Sequence, residues 1–105
     1  MLVMNRTDQG RWAPGIICDV CGKEIEEADK GMAKLYHITD TRKKILFCHK
    51  NMDGYNCDER GEDGWYEINI TLFRLFHNLD IDYSKVQEYA IMYNQLEGVN
   101  HAKRS

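Results

Sequence analysis

Four cysteines constrain the fold of this 105-residue chain more than any other feature of its sequence. Cys18 and Cys21 form a C-x-x-C pair, and Cys48 and Cys57 follow further along the chain. The two-residue spacing of the first pair lets both thiolates of one tight turn face one ion. Gly22 comes directly after this pair, where such a turn needs a positive φ or a close backbone approach that glycine tolerates. We therefore predict a single metal site with the four cysteines as its ligands.

A tetrahedral set of four thiolates is typical of a structural Zn2+ site. A catalytic zinc keeps one coordination position open, so four protein ligands predict a closed, structural site. The less regular half of the set is the pair Cys48 and Cys57, separated by eight residues instead of the roughly two to four that are common between zinc ligands. His49, directly after Cys48, is the alternative to Cys57 as the fourth ligand.

The order of cysteine knuckle, β-hairpin, second ligand pair and helices resembles the zinc-ribbon and treble-clef class of small zinc domains. The resemblance covers roughly residues 16–60 and rests on Cys18-x-x-Cys21-Gly22. It implies a small α+β domain with a β-hairpin near the metal and two helices that follow it.

The composition predicts one globular domain, because 43% of the residues are hydrophobic and 30% are charged. So short a chain often needs a staple, and structural zinc in small zinc peptides contributes roughly 10–16 kcal/mol. We divide the chain into an irregular arm at 1–15, a single zinc-binding domain at 16–98 and a disordered tail at 99–105. No apolar run has the length of a signal peptide or a membrane span, so we expect a reducing cytoplasm, where paired cysteines bind metal.

Hydrophobic patterning predicts the order of the secondary structure. Two β-prone runs at 32–38 and 45–48 flank a polar segment at 39–44, which predicts a β-hairpin. Alternation after Trp65 predicts a strand over 65–70, followed by a helix from the N-cap Thr71 to Asn78.

A second helix is predicted from the capping-box spacing of Ser84 and Gln87, and Gly98 ends it. We expect its apolar face to pack on the core of the domain. That face comprises Val86, Tyr89, Ala90, Tyr93 and Leu96.

The functional prediction is a non-enzymatic adaptor or regulator that acts through protein–protein contacts. The chain has no H-E-x-x-H motif and no deaminase motif. A homodimer is left open, because Ile91 and Met92 add apolar surface outside the main face of the second helix. The predicted partner-binding residues are Asp58, Glu59, Glu62, Asp63, Ile91 and Met92.

Two alternatives remain at this stage. The first is a zinc-dependent nucleic-acid-binding regulator that uses Arg42, Lys43, Lys44 and Arg74, although a net charge of −3 disfavours phosphate binding. The second is a redox-switched zinc protein in which Cys18 and Cys21 form a reversible disulfide.

Overall fold

The computed structural model describes residues 1–93 of the chain. Within that part, a two-stranded sheet and a three-stranded sheet are followed by two helices. The elements are β1 (Leu2–Arg6), β2 (Trp12–Ile16), β3 (Gly31–Thr39), β4 (Arg42–His49), β5 (Trp65–Glu67), α1 (Ile68–Asn78) and α2 (Tyr83–Met92), with a 3₁₀ turn at Ala28–Lys30. The predicted α+β class, with β-hairpins and two helices, is confirmed.

The predicted hairpin is formed by β3 and β4, and β3 lies at the centre of its sheet. The register pairs Met32 with Cys48 and Ala33 with Phe47. β5 pairs antiparallel with the other edge of β3, which gives the order β4-β3-β5. Because β3 has a neighbour on each side, its first four residues are all buried, including Lys34.

The hydrophobic core lies where this sheet, the cysteine knuckle and α1 meet. Its buried members are Cys18, Ile25, Met32, Ala33, Phe47, Cys48, Cys57 and Ile68. Gly31 allows α1 to come close, because a Cβ at this position would lie 2.6 Å from Cδ1 of Ile68. Three of the eight core members are cysteines, namely Cys18, Cys48 and Cys57.

The arm at 1–15, which we expected to be irregular, instead contributes most of a hairpin between β1 and β2. The two strands are antiparallel, with Leu2 opposite Ile16, and Gly10 in the connecting turn has a φ of 78°. The sequence does not predict this hairpin. In β1 the apolar Leu2 takes an exposed position, and the polar Asn5 takes a partly buried one. An apolar–polar alternation of period two is therefore missing from β1.

α1 begins three residues before the predicted N-cap, and the strand predicted over 65–70 is correspondingly shorter. The N-cap is Glu67, while the hydroxyl of Thr71 donates to the carbonyl of Glu67 at 2.9 Å from inside the helix. A strand would place Ile68 and Ile70 on the same face. In the helix Ile68 is 1% exposed and Ile70 is 49% exposed, so the core receives one of them without the other.

α2 is capped by Asp82, so the prediction of Ser84 as N-cap is wrong. The Asp82 carboxylate accepts hydrogen bonds from the backbone N–H groups of Ser84 at 3.0 Å and Lys85 at 3.3 Å. The predicted helix end at Gly98 and the predicted tail at 99–105 lie outside the described residues.

The apolar face of α2 is largely in solvent, which corrects the expectation that it packs on the core. Ala90 is the buried residue of this helix, whereas Val86 and Tyr89 are 49% and 48% exposed. Extensive contacts with the sheet and the 3₁₀ turn are made by α1, not by α2. Neither helix among residues 1–93 has the length and apolar character needed to cross a membrane.

Candidate metal centre

One group of side chains in the described part of the chain has the composition of a metal site. It consists of Cys18, Cys21, His49 and Cys57, whose ligand atoms all lie within 4.8 Å of one another. Three of these are predicted ligands. The sequence offers His49 as a substitute for Cys57, whereas the structure groups His49 with Cys57 and leaves Cys48 out.

The spacing of the group fits a tetrahedral ion. Bonds of about 2.3 Å to sulfur and about 2.0–2.1 Å to nitrogen would place a sulfur and a nitrogen ligand roughly 3.6 Å apart. Nδ1 of His49 lies 3.4 Å from Sγ of Cys21 and 3.9 Å from Sγ of Cys57. The four atoms could therefore hold one metal ion with little rearrangement.

The first two thiols are positioned by a tight turn of the predicted kind. The backbone N–H groups of Val20 and Cys21 point at Sγ of Cys18, at 3.3 and 3.4 Å. Gly22 has a φ of 77°, and its N–H donates to the carbonyl of Cys18 at 3.0 Å. A Cβ at Gly22 would meet nothing within 4 Å, so conformation rather than space requires glycine here.

Asp19, inside the knuckle, fixes this turn to the free edge of β4. Its backbone N–H donates to the carbonyl of Phe47, and its carboxylate accepts the N–H of Phe47, both at 2.7 Å. Phe47 and His49 are two residues apart and therefore point to the same side of the strand. The Asp19 contacts thus bring the His49 side chain to the two knuckle thiols.

The His49 ring is held so that one nitrogen faces the thiols. Nε2 lies 3.0 Å from the carbonyl oxygen of Glu24, which can only accept a hydrogen bond, so Nε2 carries the proton. Nδ1 then presents its lone pair to the cluster, as in metal-bound histidines whose other nitrogen donates to a carbonyl. The ring of Tyr55 stacks on the imidazole at a centroid distance of 3.7 Å and an interplanar angle of 2°.

The long connection between His49 and Cys57 has a defined shape that explains its length. Asp53 and Gly54 form a tight turn, with φ values of 53° and 84°. Asn51 closes the base of the loop, because its side-chain oxygen accepts the N–H of Asp58 at 2.9 Å. The loop therefore returns Cys57 to the cluster and carries Tyr55 over His49 on the way.

Cys48 lies on the other face of β4 from His49, since successive side chains of a strand alternate. It is 2% exposed and packs in the core. Burial raises the pKa of Cys48 to about 11, although the nearby Lys34 ammonium acts to lower it. All four cysteines are free thiols.

The thiols of the cluster differ in how easily they lose a proton. Burial alone would raise the pKa of Cys18, but hydrogen bonds, chiefly from the backbone N–H groups of Cys21, His49 and Val20, together outweigh burial and lower this pKa to about 6. Burial, followed by the hydrogen bonds and charges of Cys18 and Cys21, raises the pKa of Cys57 to about 12. A bound cation would supply the positive charge that lets these thiols ionise together.

Two of the four acidic residues predicted to bind a partner, Asp58 and Glu62, turn inward, whereas Glu59 and Asp63 are exposed. Asp58 and Glu62 pair with the ammonium of Lys34 at 2.6 and 3.4 Å, and Lys34 is 3% exposed. Lys34 also donates to the carbonyl of Glu59. The carboxylate of Asp63 accepts the backbone N–H of His37 at 2.9 Å. The carboxylates of Asp58 and Glu62 therefore neutralise a buried lysine, a role that the sequence did not reveal because Lys34 sits in a β-prone run.

The remaining predicted residues lie apart from the cluster. Ile91 and Met92, at the end of α2, are 65% and 60% exposed. The basic residues of the nucleic-acid alternative are divided between the tip of the β3–β4 hairpin and α1. There the ammonium of Lys43 lies 3.4 Å from the carbonyl of Asp63, and the guanidinium of Arg74 lies over the ring of Tyr66.

The fold and the site together define a small α+β protein with a candidate Cys3His metal centre. Comparisons of the chain with protein-family models, curated proteins and solved structures find no match. What the protein does is therefore inferred from its own residues.

Proposed function

We propose that this chain is a zinc-stabilised, non-enzymatic protein that acts through protein–protein contacts. One observation carries the proposal. Three thiols and an imidazole converge beside the core, while α1 and α2 leave large apolar side chains in solvent.

Zn2+ is the ion that suits this donor set. Thiolate and imidazole ligands in a tetrahedral arrangement are typical of zinc, whereas carboxylate and carbonyl oxygens suit magnesium and calcium. Four protein ligands leave no open position for a substrate, and three of the four are buried. The knuckle next to a β-hairpin supports the resemblance to the zinc-ribbon and treble-clef class, with histidine in place of one cysteine. The free thiols fit a reducing cytoplasm, where we place the protein.

The proposed contact surface lies on α2. Ile91 and Met92 are more exposed than most apolar side chains of the domain and lie outside the face that contains Ala90. Exposed apolar clusters of this kind mark interaction sites more often than they serve stability. Because Asp58 and Glu62 are engaged with Lys34, the acidic segment is the weaker candidate.

Two measurements test the proposal. The full chain, purified under reducing conditions, should contain one zinc per molecule, and a content well below one contradicts zinc stabilisation. In affinity capture from the native organism, the double variant Ile91→Ser/Met92→Ser should lose partners that the wild type retains. A matched control is Ile38→Ser/Met4→Ser, because Ile38 and Met4 are 55% and 56% exposed on strands far from α2 in sequence. Equal capture by both double variants would remove α2 as the contact surface.

A further inference from the structure

The four side chains of the metal centre differ in how far solvent can reach them. Cys21 is exposed. The other three are buried, with exposed fractions of 1% for Cys18, 2% for His49 and 4% for Cys57. Val20, which precedes Cys21 in the knuckle, is 55% exposed, so this side of the turn faces water. A small water-soluble reagent therefore reaches the sulfur of Cys21 before it reaches any other ligand atom of the centre.

A second thiol lies within reach of Cys21. The Sγ atoms of Cys18 and Cys21 belong to the group of ligand atoms that lie within 4.8 Å of one another. The backbone N–H groups of Val20 and Cys21 point at Sγ of Cys18, which keeps this sulfur beneath the turn that carries Cys21. Because the sulfur atoms of a disulfide are about 2.05 Å apart, these two need to approach each other by less than about 3 Å.

Cys57 is the other thiol of the group, but it is harder to move towards Cys21. Its side chain belongs to the core, and its loop is closed by two hydrogen bonds between Asn51 and Asp58, at 2.9 and 3.4 Å. Cys18 and Cys21 instead belong to one turn. Closing that turn moves an exposed side chain towards a buried one and leaves the core in place, so Cys18 is the favoured disulfide partner of Cys21.

We propose that Cys21 is an oxidation site through which a hydroperoxide releases the metal. The Cys21 thiolate attacks one oxygen of hydrogen peroxide, the O–O bond breaks and hydroxide leaves, which oxidises the sulfur by two electrons to a sulfenic acid. The Cys18 thiolate then attacks the Cys21 sulfur, so that an S–S bond forms, the S–O bond breaks and a second hydroxide leaves. Each hydroxide takes a proton from solvent and becomes water.

The disulfide removes two of the four ligands, and zinc therefore dissociates. This inference rests on the proposed function, because loss of the ion matters for a protein that zinc stabilises. The His49 ring is held by the carbonyl of Glu24 and by stacking on Tyr55, and neither contact involves Cys18 or Cys21. Reduction of the disulfide by a dithiol therefore restores a site that can bind zinc again.

Treating the full, zinc-loaded chain with hydrogen peroxide in the presence of a chromophoric zinc chelator tests the proposal. The wild type should release its zinc as the disulfide forms, and dithiothreitol with added zinc should restore the loaded protein. Cys21→His replaces the exposed thiol by a zinc ligand that resists peroxide, so this variant should release zinc at least about 10-fold more slowly. Cys48→Ala removes a buried thiol outside the ligand group and should release zinc at the wild-type rate.

Peptide mapping of the wild type decides the matter if Cys21→His does not hold zinc. After a brief pulse of peroxide, the sulfenic-acid reagent dimedone should label Cys21. After complete zinc release, Cys18 and Cys21 should be linked, and Cys57 should still react with an alkylating reagent.

Four results overturn the proposal: a wild type that keeps its zinc in peroxide, equal release by the wild type and Cys21→His, a first label on another cysteine, or a disulfide that includes Cys57. Zinc measured before peroxide is added separates the two proposals. Loaded protein that resists peroxide refutes the oxidation site alone, whereas zinc-free protein refutes the proposed function as well.

Discussion

Removing the His49 imidazole should weaken metal binding strongly, whereas removing the Cys48 thiol should leave it nearly unchanged. The variant Cys48→Ala removes a buried thiol that is not one of the four grouped ligands. The variant His49→Phe keeps a flat ring to stack on Tyr55 but has no nitrogen for a metal. The two residues are adjacent in the chain, so the pair of variants distinguishes the ligand set of the structure from the four-cysteine set.

The magnitudes follow from where each side chain lies. Cys48 is 2% exposed and makes no contribution to the cluster, so its loss should cost about 1 kcal/mol of stability for one buried heavy atom and leave zinc affinity nearly unchanged. A structural zinc site of four ligands is worth roughly 10–16 kcal/mol, or about 2.5–4 kcal/mol for each ligand. His49→Phe should therefore weaken zinc binding roughly 10²- to 10³-fold.

Competition with a chromophoric zinc chelator measures the affinities, and urea unfolding of the zinc-loaded protein measures the stabilities. Cobalt substitution adds an independent readout, because sulfur-to-cobalt charge-transfer absorption scales with the number of thiolates bound. Both the wild type and Cys48→Ala should show three thiolates. If Cys48→Ala loses zinc affinity and one thiolate while His49→Phe keeps both, the ligand set inferred from the structure is refuted.

Three further variants test the surroundings of the site and the second helix. Tyr55→Leu should weaken zinc binding about 10-fold, because it removes the aromatic ring that stacks on the His49 imidazole. Tyr55→Phe keeps the ring and should bind zinc like the wild type. Equal zinc affinities for all three proteins would exclude a positioning role for Tyr55. Lys34→Met should destabilise the zinc-loaded protein by about 2 kcal/mol in urea unfolding, because it leaves Asp58 and Glu62 without their counter-ion. The loss is smaller than the roughly 3–5 kcal/mol of a fully buried pair, since the two carboxylate side chains are 34% and 16% exposed. Adding Asp58→Asn should recover part of the loss, and a loss under about 0.5 kcal/mol would contradict this. The hydroxyl of Ser84 and nearby backbone N–H groups hold the pKa of Asp82 below its usual 3.8. The ionised Asp82 therefore caps α2 above pH 3.8, and the cap is lost as the pH falls through the lowered pKa. Far-UV circular dichroism should show this acid loss of helix in the wild type and not in Asp82→Asn, and identical titrations would argue against the cap.

The features that could be predicted from the sequence depend on neighbouring residues. The knuckle follows from two cysteines with two residues between them and a glycine after them, and Gly22 has the expected positive φ. The hairpin of β3 and β4 follows from two β-prone runs around a polar turn. In both cases the signal and the structure lie within about twenty residues, so no distant contact can overrule the local preference.

The fourth member of the cluster could not be predicted in this way. Cys48 and His49 are adjacent, and which of them faces the knuckle depends on how β4 is rotated against it. The contacts between Asp19 and Phe47 decide that rotation, and they join residues 28 positions apart. Cys48 was predicted to be a ligand because cysteine is a typical zinc ligand, although its side chain belongs to the core.

The same contrast between local signals and distant contacts applies to the whole protein. The sequence by itself determines an α+β chain with a cysteine knuckle, because cysteine spacing and local patterning act over short distances. Tertiary structure alone decides that His49 joins the cluster, that Asp58 and Glu62 turn inward to Lys34, and that the apolar face of α2 remains in solvent. A strand has two faces and a helix has several, and only packing against distant elements selects the one that is buried.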